Sequence, residues 1–157
     1  MGADTIRGMS VLPRSGSFSR VVVRRSLRGV GIFSAISAVG GGVGLLLPGS
    51  MGVPLSMIED TGLTSFLWPA LVLIVVIGGT QVLAVAADLA GHRLALFGAG
   101  CAGWALVIWI FMELAFMGEF IALHGIFFGA GVVQIVLVML LLDIFPGIVG
   151  SGRGVRT

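Results

Sequence analysis

Glu113 and His124 are the ionisable side chains whose spacing best fits a paired site. They flank the short connection that contains Glu119 and lie equally far from its centre. If antiparallel helices flank this connection, both side chains reach the same depth and face each other. A carboxylate beside an imidazole can handle protons or a polar substrate, and ionisable groups at membrane depth are functional candidates. The favoured interpretation is a solvated or structural pair, because the site lies near the interface where water reaches.

A second group of polar side chains shares one depth within the long apolar runs. Its members are Ser37, Thr80, Gln81, Cys101 and Gln134. At 1.5 Å per residue, each lies roughly 3 to 6 Å from the middle of its run. Polar groups in lipid form interhelical hydrogen bonds worth about 0.6 kcal/mol each. Structural stabilisation is therefore the favoured role of this layer, and a small polar cavity or ligand site is the alternative.

The other ionisable groups argue against familiar chemistries. Asp88, His92 and Arg93 lie in a tight turn, which we interpret as solvated, and Asp143 ends the last run in the same manner. His92 and His124 fall at opposite membrane faces, so they cannot share a haem or a metal ion. A single cysteine excludes an intramolecular disulfide. The sequence predicts no catalytic, cofactor-binding or metal-binding residues and no cofactor.

The composition determines which elements must position these side chains. Of the 157 residues, 57% are hydrophobic and 10% are charged, whereas a soluble domain carries about 25% charged residues. Lipid must therefore be the main solvent, and continuous apolar runs in lipid form helices rather than a barrel. We predict an all-α polytopic membrane protein whose antiparallel four-helix transmembrane bundle is one domain, residues 29–142. Its spans are residues 29–47, 67–87, 94–112 and 120–142, approximately.

The basic residues predict the orientation. All nine are arginines: Arg7, Arg14, Arg20, Arg24, Arg25 and Arg28 precede the first run, Arg93 follows the second, and Arg153 and Arg156 follow the fourth. Positive charge on alternate connections indicates a multi-pass inner (plasma) membrane protein with both termini in the cytoplasm. Residues 1–28 are predicted to be a disordered, basic juxtamembrane segment, and residues 143–157 a flexible cytoplasmic tail.

The arginines before the first run suggest a partner. Arg20, Arg24, Arg25 and Arg28 are expected to contact the anionic inner leaflet of the lipid bilayer, at about 1 kcal/mol each. Binding to nucleic acid is not expected, because these arginines have no folded surface on which to form a groove. The cluster also resembles a twin-arginine export signal. A charge cluster that orients the first span is favoured, because no small-x-small cleavage site follows.

Two further patterns concern packing. Small residues recur at four-residue spacing in three runs and predict close helix contacts: Gly40 and Gly44, then Ala95, Ala99 and Gly103, then Gly125 and Gly129. The connection from Gly49 to Phe66 contains a predicted helical turn, Pro54 to Glu59, and an apolar side. We expect this connection to lie on the membrane surface or to cap the bundle.

The chain resembles a group of small bacterial four-helix membrane proteins that have no assigned function. The residues that carry the resemblance are Gly52 to Ser56, Thr61, Phe66, Pro69, Gly78, Gly79, Trp109, Ile110, Glu113 and Phe127 to Gly129. The resemblance covers residues 29–142, approximately. It implies a bacterial, and more narrowly an actinobacterial, four-span protein, and it transfers no catalytic residues.

The leading functional hypothesis is a non-enzymatic accessory or interaction subunit, acting as a homo-oligomer or within a larger membrane complex. It rests on the helix-packing glycines and on the lack of a catalytic constellation in the sequence. The alternative is a small oligomeric transporter or channel that uses Glu113, His124 and the polar layer. An intramembrane enzyme that acts on lipid is the third hypothesis.

Overall fold

Four long helices make up most of the described chain. A computed structural model describes residues 19–59, 62–118, 120 and 122–144; the predictions for residues 1–18 and 145–157, and for Thr61 and Glu119, fall outside these ranges. The long helices are α1 (Arg20–Leu46), α3 (Leu67–Leu89), α4 (Ala95–Met117) and α5 (Ala122–Leu141), and α2 (Ser56–Glu59) is short. Each long helix is apolar enough to cross a membrane. The all-helical class with four candidate spans is therefore confirmed for the described residues.

Each long helix packs against two others. Helix α1 contacts α3 and α5, and α4 contacts the same two helices from the other side. One core cluster is built around Val23 and Leu27 of α1 with Ala102 of α4 and Val138 of α5. A second cluster joins Ala38, Ile77 and Leu106 with half-buried neighbours that include Trp109 and Phe127.

Helix α1 begins at Arg20, earlier than the predicted start near Gly29. The Ser19 hydroxyl accepts a hydrogen bond from the backbone N–H of Val21 and caps the first turn. Val23 and Leu27 lie one turn apart on the same face and are buried in the first core cluster. Residues 20–28 are thus part of a packed helix and not disordered as predicted, because these two side chains gain by burial against the bundle.

Helix α3 contains a π-helical stretch, Val72–Gly78, that the sequence did not predict. Here α3 lies very close to α1: a Cβ atom on Gly42 would be 2.9 Å from the Ala70 carbonyl oxygen, and one on Gly78 would be 2.8 Å from Val39 Cγ2. Wide π turns inside helices are frequent at functional sites. Side chains of this stretch line the cavity described below.

The predicted rows of small residues are confirmed in one helix. Ala95 and Ala99 of α4 are buried, and a Cβ atom on Gly103 would be 3.3 Å from the Gly131 carbonyl oxygen of α5. The other rows do not make the predicted contacts. Gly40 and Gly129 have no neighbour close to the position of a Cβ atom, and Gly44 lies against the Met51 side chain of the connection. Spacing identifies a row of small residues but not the side of the helix that meets a neighbour.

Gly131→Ala should destabilise the protein by about 1 to 2 kcal/mol. The added Cβ atom would lie 2.8 Å from Val107 Cγ2 and 3.1 Å from the Gly103 carbonyl oxygen, so α4 and α5 would have to separate. Gly129→Ala, on the same helix, is the matched control, because its Cβ atom would enter open space. Thermal unfolding in mild detergent measures the stability of both variants. Equal melting temperatures for Gly131→Ala and Gly129→Ala would contradict this packing.

The connection between α1 and α3 folds back onto the bundle. It contains a 3₁₀ turn, Ser50–Gly52, and the short helix α2, which agrees with the predicted helical turn. Ile58 and Phe66 are buried. The connection therefore caps one end of the bundle, one of the two placements expected from its apolar side.

Candidate functional site

Among the described residues, Gln81 and Gln134 are the members of the predicted polar layer that form hydrogen bonds between helices. Gln81 Nε2 donates to Gln134 Oε1 at 3.1 Å, and Gln134 Nε2 donates back to Gln81 Oε1 at 3.0 Å. Each amide also donates to a backbone carbonyl of α4, Gln81 to Ala102 and Gln134 to Ala99. Both side chains are almost fully buried, with 0% and 1% of their surface exposed. The pair joins α3, α4 and α5 at one point.

The remaining predicted members of the layer lie elsewhere. The Thr80 hydroxyl bonds to the carbonyls of Val76 and Ile77 in its own helix, Cys101 is exposed, and Ser37 lines a cavity nearer the capped end. These three residues therefore do not take part in the interhelical hydrogen bonds predicted for the layer, as far as the described residues show. Position along a helix fixes depth only, and neighbouring residues point about 100° apart. Cys101 thus faces outward while Ala102 is fully buried.

Glu113 and His124 meet as their spacing predicted. The distance from His124 Nε2 to Glu113 Oε2 is 3.9 Å, which is beyond a hydrogen bond but within reach of an ion pair. The His124 residue is 4% exposed, and the Glu113 side chain is 26% exposed. The Phe120 ring lies 6.1 Å from the imidazole. The pair therefore connects the end of α4 to the start of α5 in a largely apolar setting.

These two residues lie in the wall of a large cavity, which we call the Glu113 cavity. Its volume is about 570 Å³. All four long helices and the capping connection contribute to the wall. The residues that line it include Ser34, Ser37, Ala38, Met51, Ile58, Phe66, Trp68, Val72, Leu73, Ile77, Leu106, Trp109, Glu113, His124 and Phe127. A mostly apolar cavity with a few polar groups is the usual form of a small-molecule site.

Two polar atoms at this cavity are buried without a completed hydrogen bond. Ser34 Oγ has no partner among the described residues, and the Ser34 residue is 1% exposed. Trp109 Nε1 likewise reaches hydrogen-bonding geometry with none of the described residues, and Glu113 lies one turn further along α4. Buried polar groups are nearly always satisfied, so each such atom requires an explanation.

Neither residue could be assigned to this cavity from the sequence. Trp109 has a part only in the resemblance, and a single serine in an apolar run, such as Ser34, gives no signal. Ser37, three residues later on α1, was the one hint that this face of the helix is polar. Both serines line the Glu113 cavity.

A second polar cluster lies at the other end of α5, where three carboxylate–guanidinium contacts form what we call the arginine end. Asp88 accepts from Arg24 Nε at 2.7 Å and from Arg28 Nε, and Arg20 contacts Asp143. The Asp88 side chain is only 5% exposed. The interpretation of Asp88 as part of a solvated turn is wrong, because the extended α1 brings two guanidinium groups onto its carboxylate.

The rest of that turn agrees with the prediction that it is solvated. His92 and Arg93 are exposed, and Gly91 has the positive φ of 67° that lets the chain reverse. The predicted contact of four arginines with the anionic leaflet stays a prediction. Of those four, Arg25 is exposed and outside the ion pairs of the described chain.

Between the two ends, the centre of the bundle is closely packed. The void next to the glutamine pair is about 10 Å³ and is bordered by Gln81, Gln134, Arg28 and Asp88. This volume accommodates about one water molecule. Across the described ranges, no cluster of three or more histidine, cysteine or acidic residues has the geometry to hold a metal ion.

Comparisons of the chain with family models, with curated proteins and with solved structures found no match. Function must therefore be inferred from the residues and their geometry.

Proposed function

We propose that this protein binds a lipophilic small molecule within the membrane, in the Glu113 cavity. The observation that carries the proposal is the buried Ser34 hydroxyl, which lacks a partner among the described residues and borders a space of about 570 Å³. A bound molecule with a polar group would supply the missing hydrogen bond, and its apolar body would cover the surrounding wall. Leaving a polar group buried and unsatisfied costs about 1 to 3 kcal/mol.

Binding is a better-supported role than open conduction. The Glu113 cavity does not continue as a wide path past Gln81 and Gln134, because these amides bond to each other and to α4. The accessory-subunit role stays a prediction, and so does the oligomeric transporter. A ligand-binding bundle is compatible with either, as a sensor subunit or as one conformation of a carrier.

The proposal includes an orientation. We infer an antiparallel bundle in the inner membrane with both termini in the cytoplasm, so that the arginine end is cytoplasmic and the Glu113 cavity lies in the outer half. The distribution of the arginines supports this orientation. The contacts of Asp88 and Asp143 with the start of α1 support the antiparallel order. The bacterial origin implied by the resemblance stays a prediction.

Reporter fusions test this orientation. A reporter inserted at Ser56, in the capping connection, should respond from outside the cytoplasm. The same reporter at Gly91, between α3 and α4, should respond from the cytoplasm. Alkaline phosphatase and a fluorescent protein give opposite signals for each site, so they control for expression. Two signals from one compartment would overturn the proposed topology.

Contact quenching of tryptophan fluorescence tests ligand binding. Trp68→Phe and Trp104→Phe leave Trp109, in the cavity wall, as the single tryptophan. A neutral nitroxide amphiphile, the dodecanoyl ester of 4-hydroxy-TEMPO, should quench Trp109 saturably in lipid nanodiscs. Ala38→Phe or Ser37→Phe should abolish the saturable component, because either ring would occupy the cavity.

Ala86→Phe is the matched control, because it adds the same ring to an exposed position on α3. The melting temperature of each variant shows whether it has folded. Quenching that rises linearly with the probe in every folded variant would overturn the proposed function. Quenching that saturates equally in the cavity-filled variants would place the bound probe outside the Glu113 cavity and also contradict it.

A further inference from the structure

We infer that the ligand of the Glu113 cavity is an amphipathic organic cation, with an ammonium-type head and a hydrocarbon body. This inference rests on the proposed function and adds the chemical class of the ligand. It follows from the charges, the aromatic rings and the shape of the wall.

The charge of the wall favours a cation. Among the described residues, Glu113 is the only acidic one that borders the cavity, and no arginine borders it. The sequence contains no lysine, and both connections at this end lack arginine. A positive head group would therefore meet no arginine or lysine of the described wall, and the one basic residue that borders the cavity there, His124, is already in contact with Glu113.

Glu113 has capacity for a ligand in addition to its contact with His124. A carboxylate offers two oxygens and about four lone-pair sites. The contact with His124 Nε2, at 3.9 Å, involves one oxygen, Oε2. An ammonium group beside the carboxylate would gain more here than in water, because apolar side chains surround the site and weaken the screening.

The aromatic side chains supply a second attraction for the same head group. Trp109 lies one turn from Glu113 on α4, and Phe127 lies one turn from His124 on α5, and all four residues border the cavity. Ring faces attract organic cations, tryptophan most strongly. The Ser34 hydroxyl, deeper on α1, offers a hydrogen-bond partner to a polar atom on the body of the ligand.

Two probes that share a dodecyl-type chain and a nitroxide test the charge preference. The cation is the dodecyl-dimethylammonium derivative of TEMPO, and the neutral probe is the dodecanoyl ester used above. In the protein that retains only Trp109, the cation should quench at a concentration about tenfold lower than the ester, after correction for partition into protein-free nanodiscs. Glu113→Gln should remove most of this difference, because the cation loses its countercharge whereas the uncharged ester has none to lose.

Asp143→Asn is the charge-matched control, because it removes one carboxylate at the arginine end, away from the cavity. It should keep the preference for the cation. If Glu113→Gln does not fold, Glu113→Asp replaces it and should weaken cation binding by withdrawing the carboxylate. Equal, saturable affinities for both probes would overturn the cation assignment while leaving the proposed function standing. Absence of saturable quenching by both probes would instead overturn the proposed function.

Discussion

Asp88→Asn should lower the free energy of unfolding by about 2 to 3 kcal/mol. The Asp88 side chain is 5% exposed and accepts from both Arg24 and Arg28. Without its negative charge, two guanidinium groups one turn apart on α1 would face each other without a counterion, and like charges at this spacing repel. The cost falls below that of breaking a fully buried ion pair, because the arginine side chains are 45% and 34% exposed and can turn towards water.

Unfolding of the purified protein in mild detergent, followed by circular dichroism, measures this loss. Asp143→Asn breaks a pair whose side chains are 43% and 48% exposed, so it should cost less than about 1 kcal/mol. Arg25→Gln is the second control, because Arg25 is exposed and outside the described ion pairs. If Asp88→Asn unfolds like these controls, the arginine end does not hold α1 against α3.

A compensating variant separates repulsion from lost packing. Changing Arg24, Arg28 and Asp88 together to neutral residues removes the carboxylate and both guanidinium groups. Because an unpaired charge is the main cost, this triple variant should be more stable than Asp88→Asn alone. A triple variant less stable than Asp88→Asn would show that the arginine stems contribute mainly by packing.

The sequence predicted the four helices well because lipid leaves few alternatives. Long apolar runs must satisfy their own backbone hydrogen bonds, so type and approximate position follow from composition. Counting from the turn between α4 and α5 also placed Glu113 beside His124, which the structure confirms at 3.9 Å. Depth can be counted reliably across a short turn, because residues equally far before and after the turn lie at the same depth.

Rotation about each helix axis was the information that the sequence lacked. Gln81 and Gln134 face each other, whereas Thr80 and Cys101, at similar depth, do not join them. The four apolar faces are too alike for hydrophobic periodicity to select a buried side in lipid. The Glu113 cavity was unpredictable for the same reason, since it depends on how side chains from every helix fail to fill one space.

The contact of Asp88 with Arg24 and Arg28 could not be predicted for a different reason. The sequence predicted a first helix that begins near Gly29, because the arginines before it indicated a disordered, juxtamembrane segment. The structure continues α1 through them, with Val23 and Leu27 buried on one face. The spacing of four residues between these two apolar side chains was the available signal for a helix. The charge of the neighbouring arginines made this signal hard to recognise.

Gln134→Leu should cost about 2 kcal/mol of unfolding free energy, and Gln81→Leu about the same. Either change removes the two reciprocal amide bonds and leaves the other glutamine buried with an unsatisfied oxygen. Changing both residues to leucine should cost less than the sum of the single changes, because no buried amide then remains unpaired. Thr80→Val, which removes a hydroxyl bonded within its own helix, is the matched control and should change stability by less than about 0.5 kcal/mol.

The two single variants and the double variant form a double-mutant cycle. This cycle decides between the two roles considered for the polar layer, which are structural stabilisation and a ligand site. If the glutamines only join the helices, each variant that folds should bind the neutral nitroxide ester in the Glu113 cavity as the parent does, since neither glutamine borders that cavity. A variant with unchanged stability but weakened binding would assign the pair to the ligand site instead. Strictly additive losses would show that the two amides stabilise the bundle independently, in contradiction to their reciprocal bonds of 3.1 Å and 3.0 Å. A coupling energy near 1 kcal/mol, together with unchanged binding, is the expected result, because each amide is the other's partner and the surrounding apolar side chains and lipid offer none.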